Sequence, residues 1–297
     1  MNDTTLHFVE IVSAPDVAAP LEELLCALEL SSSSYSDLES GKASILLHCA
    51  SASEAELLAQ ELRRQLPQWR ALLGKPVLSL APIVMHAEDW AESWKRHFHC
   101  FKASERIVVK PSWESYCAKP GELLLELDPG MCFGTGYHGT TKACLQFLDQ
   151  IQAELGEGQS FLEAGCGSGI LSIAAKLLGY EPVFAFDHDP QAVDCARQNL
   201  LAAGHADVQP ELADVQDYSP AQPCRVVAAN ILAPVLIEYA ENIVGYVAKS
   251  RNPAYLILSG ILHEQYEAVK QRYVALGLQE VNKICLDEWS SGRFLLN

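Results

Sequence analysis

Hydrophobic and polar positions follow two rhythms along this chain, and each change of rhythm marks an element. Residues 6–12, LHFVEIV, are rich in β-formers and read as a strand. Residues 19–30, APLEELLCALEL, place Leu21, Leu24, Leu25 and Leu28 on one helical face. SSSSYSDLESG (31–41) is polar and reads as a flexible turn ahead of the strand ASILLHC (43–49). SASEAELLAQELRRQL (51–66) opens with a Ser-x-x-Glu capping pattern, Ser51 to Glu54, and KPVLSLAPI (75–83) closes the unit as a strand. The order β-α-β-β-α-β predicts a ferredoxin-like domain over residues 1–84, which holds no cluster of catalytic residue types. Next, HAEDWAESWKRHF spaces Trp90, Trp94 and Phe98 four residues apart on one helical face, so a linker helix is expected within 85–104. Beyond it, a larger domain is expected over 105–297. Strand-like runs at 160–164, 182–187, 206–212, 224–229, 253–259, 278–284 and 291–296 alternate there with helical ones. That alternation predicts an α/β doubly wound, Rossmann-like sheet whose last strand returns antiparallel.

The chemistry concentrates where this sheet would hold a ligand. FLEAGCGSGILSIAAK (161–176) runs from a strand through a glycine bend into a helix. Gly165 and Gly167 match the start of a dinucleotide loop, but Ile170 stands where its third glycine would fall. VFAFDHDP ends the second strand with Asp187, placed to accept hydrogen bonds from two ribose hydroxyls, and Asp189 precedes Pro190 as a helix cap. A ribose without a pyrophosphate describes S-adenosylmethionine, whose zwitterionic tail can rest on bare backbone. Upstream, LDPGMCFGTGYHGTTKACLQFL opens the backbone at Gly134 and Gly136. It offers Thr140 or Thr141 as cap of a helix running to Leu155, whose N-terminus favours a carboxylate. His138 has no Ser or Cys partner in triad spacing.

VVAANILAP ends the fourth strand with Asn230, whose amide would face the reacting centre. Methyltransferases acting on planar nitrogens often follow such an Asn with Pro-Pro and an aromatic. Here Ile231, Leu232, Ala233 and Pro234 follow, which points toward an aliphatic amine acceptor.

Composition narrows the setting. Apolar residues make up 49% and charged residues 20% of 297 positions, as in an ordinary globular chain. No apolar run reaches the ~18–20 residues that span a bilayer, and MNDTTLHFVEIV has neither a basic start nor an apolar signal core, so a cytoplasmic protein without a membrane partner is expected. The 10 cysteines form no C-x-x-C pair and cluster with no histidines at ligand spacing, so reduced thiols and no metal are expected. A net charge of −17 disfavours direct binding of nucleic acid, suits a basic partner, and serves solubility. From Met85 to Tyr116 acids and bases balance at five each.

At these residues the chain resembles the methyltransferases of large-subunit ribosomal protein eleven, the PrmA type. The resemblance covers nearly the whole chain through WKRHF, IVVKPSW, LDPGMCFGTGYHGTT, GCGSGILSIAA, FDHDPQAV, NILAPVLIE and LSGIL. It implies a ferredoxin-like substrate-recognition domain, a linker and a seven-stranded catalytic domain. It implies S-adenosylmethionine contacts at Thr141, Gly165, Asp187 and Asn230. It also implies repeated methylation of lysine side chains, and of the N-terminal amine, on that ribosomal protein. Tyr137 and Gly139 stand where many members have Thr and Pro, and Glu163 replaces the usual Asp. The first two departures motivate an alternative, a lysine methyltransferase for another protein. An RNA methyltransferase is opposed by the acidity and by the missing aromatic after Asn230. A non-catalytic cofactor-binding protein is opposed by the full set of loops.

Overall fold

A computed structural model describes residues 5–26, 28, 30, 32–37, 41–86, 98–128, 134, 136–249 and 252–296, and the chain divides into two compact units, Met1–His99 and Cys100–Asn297. The first unit runs β1 (Thr5–Ser13), α1 (Pro15–Cys26), β2 (Ser32–Asp37), β3 (Lys42–Cys49), α2 (Ala52–Leu73) and β4 (Ser79–His86). Its strands pair antiparallel in the order β2-β3-β1-β4, the ferredoxin-like arrangement. Val9, Ile11, Ile45 and Leu47 share one sheet face because side chains alternate along a strand, and they pack on Leu21 and Leu25 of α1 and Ala59 and Leu62 of α2. The expected cap forms: Ser51 Oγ accepts from the Glu54 amide at 3.2 Å, and Glu54 Oε2 reaches back to the Ala50 amide at 2.7 Å.

Three expectations for this part of the chain need correction. The polar run 31–41 is no simple turn, since Ser32–Asp37 forms the edge strand β2, paired from Ser32 with Leu47 to Asp37 with Lys42. A ladder is built from backbone groups, so an edge strand can form without apolar alternation, and polar side chains suit an edge. Leu28 lies beyond α1, which stops at Cys26, and is exposed. The described ends of 85–104 are strands: Met85 and His86 finish β4, and Phe101–Lys102 form β5. Residues 87–97, with Trp90 and Trp94, lie outside the described residues, whereas Phe98 is buried.

The second unit opens with a three-stranded sheet of β5 (Phe101–Lys102), β6 (Ile107–Lys110) and β7 (Leu123–Glu126). The sequence reading assigns none of these strands. Then follow α3 (Gly139–Leu155), β8 (Phe161–Ala164), α4 (Ile170–Leu177), β9 (Val183–Asp187), α5 (Pro190–Ala202), β10 (Glu211–Leu212) and β11 (Val226–Asn230). The unit ends with α6 (Ala233–Glu238), α7 (Ala240–Gly245), β12 (Ala254–Leu262), α8 (Tyr266–Ala275), β13 (Gln279–Leu286) and β14 (Trp289–Leu296). The seven strands run in the order β10-β9-β8-β11-β12-β14-β13. Neighbours from β10 to β12 are parallel, and β14 runs antiparallel between β12 and β13. The run 206–212 shrinks to Glu211–Leu212, both exposed at the sheet edge.

Both faces of the central strands β8, β9, β11 and β12 are buried, which is why these strands are largely apolar. Phe161, Val226, Ala228, Tyr255 and Ile257 point into the core shared with α3, α4 and the three-stranded sheet. The alternate residues Leu162, Ala164, Val227, Ala229, Leu256 and Leu258 meet Leu236, Ile243, Val269 and Tyr273 of α6, α7 and α8. A polar pin holds α3 in place. The buried Asp149 carboxylate accepts from Ser104 Oγ at 2.6 Å, from the Arg106 amide at 2.9 Å and from Arg106 Nε at 2.5 Å. The turn before β6 is thereby fastened to the helix whose N-terminus reaches the site.

Candidate active site

Strand order reverses between β8 and β11, and in such sheets a crevice opens beyond the carboxyl ends of the two diverging strands. The glycine bend leaves β8 at this point. The Gly165 and Cys166 amides both donate to the Phe186 carbonyl at 3.0 Å, so the bend curls over the end of β9. Gly165 has a positive φ of 75°, and a Cβ there would stand 2.4 Å from Ile231 Cγ2. Gly260 approaches from the other side: a Cβ on it would meet the Ile231 carbonyl oxygen at 2.5 Å. Ile231, directly after Asn230, is thus wedged between two positions that only glycine can fill. The sequence marks Ile231 only as the non-aromatic residue after Asn230; its packing against Gly260 is not legible there, because the squeeze comes from β12, remote in the chain.

Asp187 ends β9 and is buried. Its Oδ2 accepts from the Gly167 amide at 2.9 Å, and its Oδ1 from the Asp189 amide at 3.0 Å. The carboxylate therefore fixes the bend and the approach to α5; Oδ2 keeps a second lone pair for a ligand hydroxyl, while Oδ1 also faces His188 Nδ1 at 3.3 Å. Asp189 caps α5 as expected, accepting from the Gln191 amide at 2.8 Å ahead of Pro190. Below the bend, the buried Glu163 carboxyl accepts from the Ser172 amide at 2.9 Å and from the Ser172 hydroxyl, bracing α4. Burial raises its pKa to about 8 against the opposing Ser172 hydrogen bonds, and the like charge of Asp187 adds to the rise. Glu163 is uncharged at neutral pH.

Gly134 of the upstream segment meets the bend. Ser168 Oγ donates to the Gly134 carbonyl at 2.6 Å, while residues 129–133 and Thr135 lie outside the described residues. At the start of α3 the capping expectation is corrected. The cap position is His138, which makes no side-chain capping bond, and Thr140 and Thr141 lie inside the first turn. The helix begins earlier than the threonines, so their side chains turn toward the sheet instead of the free amides. Thr140 Oγ1 lies 2.7 Å from His138 Nδ1, and Thr141 Oγ1 accepts from Asn230 Nδ2 at 3.5 Å. Ser259 of β12 donates to the Thr140 carbonyl at 3.1 Å. Burial lowers the His138 pKa to about 4 despite the nearby Asp287 carboxylate, so this imidazole is neutral at physiological pH.

Asn230 ends β11 with its Oδ1 buried and without a hydrogen-bond partner among the described residues. An unpaired buried acceptor is costly unless a ligand donor meets it. The structure thus gathers the predicted residues in two contacts, Gly167 with Asp187 and Thr141 with Asn230, and Gly165 touches the residue that follows Asn230. Open backbone at the bend, a carboxylate with a spare lone pair, a helix N-terminus and an orphan amide oxygen fit a ribose-bearing zwitterion.

Comparison with known proteins shows the family. The family model described as "Ribosomal protein L11 methyltransferase (PrmA)" matches residues 36–294. The ribosomal protein L11 methyltransferase of Citrifermentans bemidjiense is 40% identical over 239 residues, 78% of this chain and 76% of the relative. That of Chloroflexus aurantiacus is 34% identical over 258 residues, again 78% of this chain and 76% of the relative. The crystal structure of the ribosomal protein L11 methylase from Lactobacillus delbrueckii subsp. bulgaricus has a TM-score of 0.58 at 25% identity, covering 66% of this chain and 98% of that one. The chain belongs to the ribosomal protein L11 methyltransferase family, and its cofactor is S-adenosylmethionine.

Proposed function

We propose that this protein methylates lysine side chains of ribosomal protein L11, and that protein's N-terminal amine, in the cytoplasm. The observation that carries the reading is Asn230 Oδ1, a buried acceptor without a partner among the described residues, at the carboxyl end of β11. An acceptor oxygen in that place takes an N–H of an incoming amine and so turns the nitrogen lone pair away from itself. Gly165 and Gly167 would hold the cofactor's amino-acid tail on open backbone, Asp187 its ribose, and Thr141 its carboxylate at the start of α3. Bound there, S-adenosylmethionine would supply an electrophilic sulfonium methyl, to which a neutral nitrogen bonds by in-line attack while the carbon–sulfur bonding pair leaves with sulfur. Alignment and exclusion of water are the protein's main contributions. A lysine ammonium, with a reference pKa of about 10.4, has no lone pair. It releases a proton to solvent as it leaves water for the vicinity of a cation, which lowers its pKa. The ferredoxin-like unit would recognise the substrate, and a chain of net charge −17 would steer a basic ribosomal protein toward it.

Incubation with purified ribosomal protein L11 and S-adenosylmethionine, followed by peptide mass mapping, is expected to place methyl groups on lysines and on the N-terminal amine. Asn230→Ala is expected to lower turnover by about a hundredfold, the order of a misaligned reactant, with a smaller loss of cofactor affinity. Methylation found only on RNA, or only on glutamine, would overturn the amine reading.

A further inference from the structure

Two ring pairs flank the start of α3. Phe101 and Tyr137 stand 4.3 Å apart between centroids at an interplanar angle of 58°, and His138 and Trp289 stand 4.9 Å apart at 60°. Tyr137 is the open member of the first pair at 42% exposure, with Phe101 half-buried against it. The backbone beneath Tyr137 is held firmly. A Cβ on the adjacent Gly136 would stand 3.0 Å from Ile170 Cδ1 and 3.2 Å from Phe101 Cζ, so Gly136 is packed between the end of the glycine bend and the three-stranded sheet. Tyr137 therefore occupies the rim of the crevice, one residue before the cap of α3 and four before Thr141, which contacts Asn230. The exposed Asp287 lies over the same helix start: its Oδ2 is 3.5 Å from where a Cβ on Gly139 would be.

We propose that the Tyr137 ring is a binding surface for the acceptor: its face takes the lysine ammonium on the way to Asn230 and holds the methylated ammonium between successive transfers. The proposal rests on the amine reading above. An ammonium is drawn to the negative face of an aromatic ring, and methylated ammonium groups are the cations that aromatic cages recognise. A methylated ammonium also sheds less hydration on reaching the ring. The cation is held at the rim as a cation, and its proton leaves to solvent only when the nitrogen moves in to attack. The Asp287 carboxylate adds negative potential at the start of α3. Repeated methylation then has a place where the chain end can wait and rotate without leaving the enzyme.

The test compares Tyr137→Leu with Tyr137→Phe in the full-length protein, with thermal melts to show that both fold. Calorimetry with a trimethyllysine peptide in the presence of S-adenosylhomocysteine reads acceptor binding without turnover. Mass spectrometry of the methylated ribosomal protein at low enzyme concentration reads how many methyls arrive per encounter. Tyr137→Leu is expected to weaken peptide binding by about three- to tenfold, the range of an exposed to partly desolvated cation–π contact. It is also expected to shift products toward monomethyl species. Tyr137→Phe is expected to keep both properties, and S-adenosylhomocysteine affinity to hold in both variants. Wild-type binding and product distribution in Tyr137→Leu would overturn the proposal. So would a Phe variant as impaired as Leu, or a loss of cofactor affinity. A wild-type enzyme that neither binds nor methylates lysine peptides would instead strike the amine reading itself, and this proposal with it.

Discussion

Glu163 holds a proton at neutral pH because the sheet that buries it raises its pKa to about 8, above the ordinary value of 4.5. Between those two values the folded chain binds a proton that the unfolded chain has released. The stability this group contributes is full below pH 4.5 and is lost as pH rises through about 8. His138 works the other way: its pKa of about 4 lies below the ordinary 6.5, so its contribution is present above pH 6.5 and is lost as pH falls toward 4. Above pH 6.5 the residual contribution of His138 and His205 runs with the opposite sign, so comparison of the wild type with a Glu163 variant isolates Glu163. Urea unfolding is expected to show about 2 kcal/mol less stability at pH 8 than at pH 6.5, at 1.36 kcal/mol per unit of pKa shift. Glu163→Gln, which can still accept from Ser172, is expected to remove that slope. An unchanged slope in the variant would show that Glu163 is already ionised in the folded protein. At this scale the sequence was informative where position alone decides. Asp187 and Asn230 could be found because each ends an apolar run. The burial of Glu163 and His138 depends on elements far away in the chain, and in the sequence these two are merely an unusual acid and a histidine without a triad.

Elements buried on both faces were legible, because β8, β9, β11 and β12 are largely apolar runs between turn signals. Elements made by pairing alone were not. The serine-rich β2 carries no apolar period and β5 spans two residues, while β10, expected over 206–212, keeps only two of them. The contact between β12 and the turn after β11 was equally hidden, and it gives the clearest stability prediction. Gly260 has φ +80°, and its missing Cβ leaves room for the Ile231 backbone, whose carbonyl carbon would lie 3.0 Å from that atom. Backbone cannot swing aside as a flexible side chain can. Gly260→Ala is expected to cost at least about 2 kcal/mol, combining left-handed strain with a core clash. Chemical unfolding at fixed pH checks the figure, and a cost under about 0.5 kcal/mol, typical of a surface substitution, would show that β12 and Ile231 part easily.

Across the whole molecule the predicted site residues Thr141, Gly165, Gly167, Asp187 and Asn230 all fall in the second compact unit, Cys100–Asn297. That unit also holds its own three-stranded and seven-stranded sheets. Residues 100–297 alone are expected to fold and to bind S-adenosylmethionine in calorimetry, yet to lose methylation of the ribosomal protein. Full-rate methylation by this fragment would show that the ferredoxin-like unit is not the recognition element. The seven-stranded sheet also carries a consequence for its birth on the ribosome. β13 joins the sheet only through β14, a strand synthesised after it. Until residues 289–296 emerge from the exit tunnel, β13 has no partner, and the apolar edge of β12 stands unpaired in a cell crowded with other nascent chains. Such an edge invites foreign strands. The arrival of β14 closes that edge and gives β13 its place, so the shortest-lived hazard of this fold lies in the moments before its final strand is made.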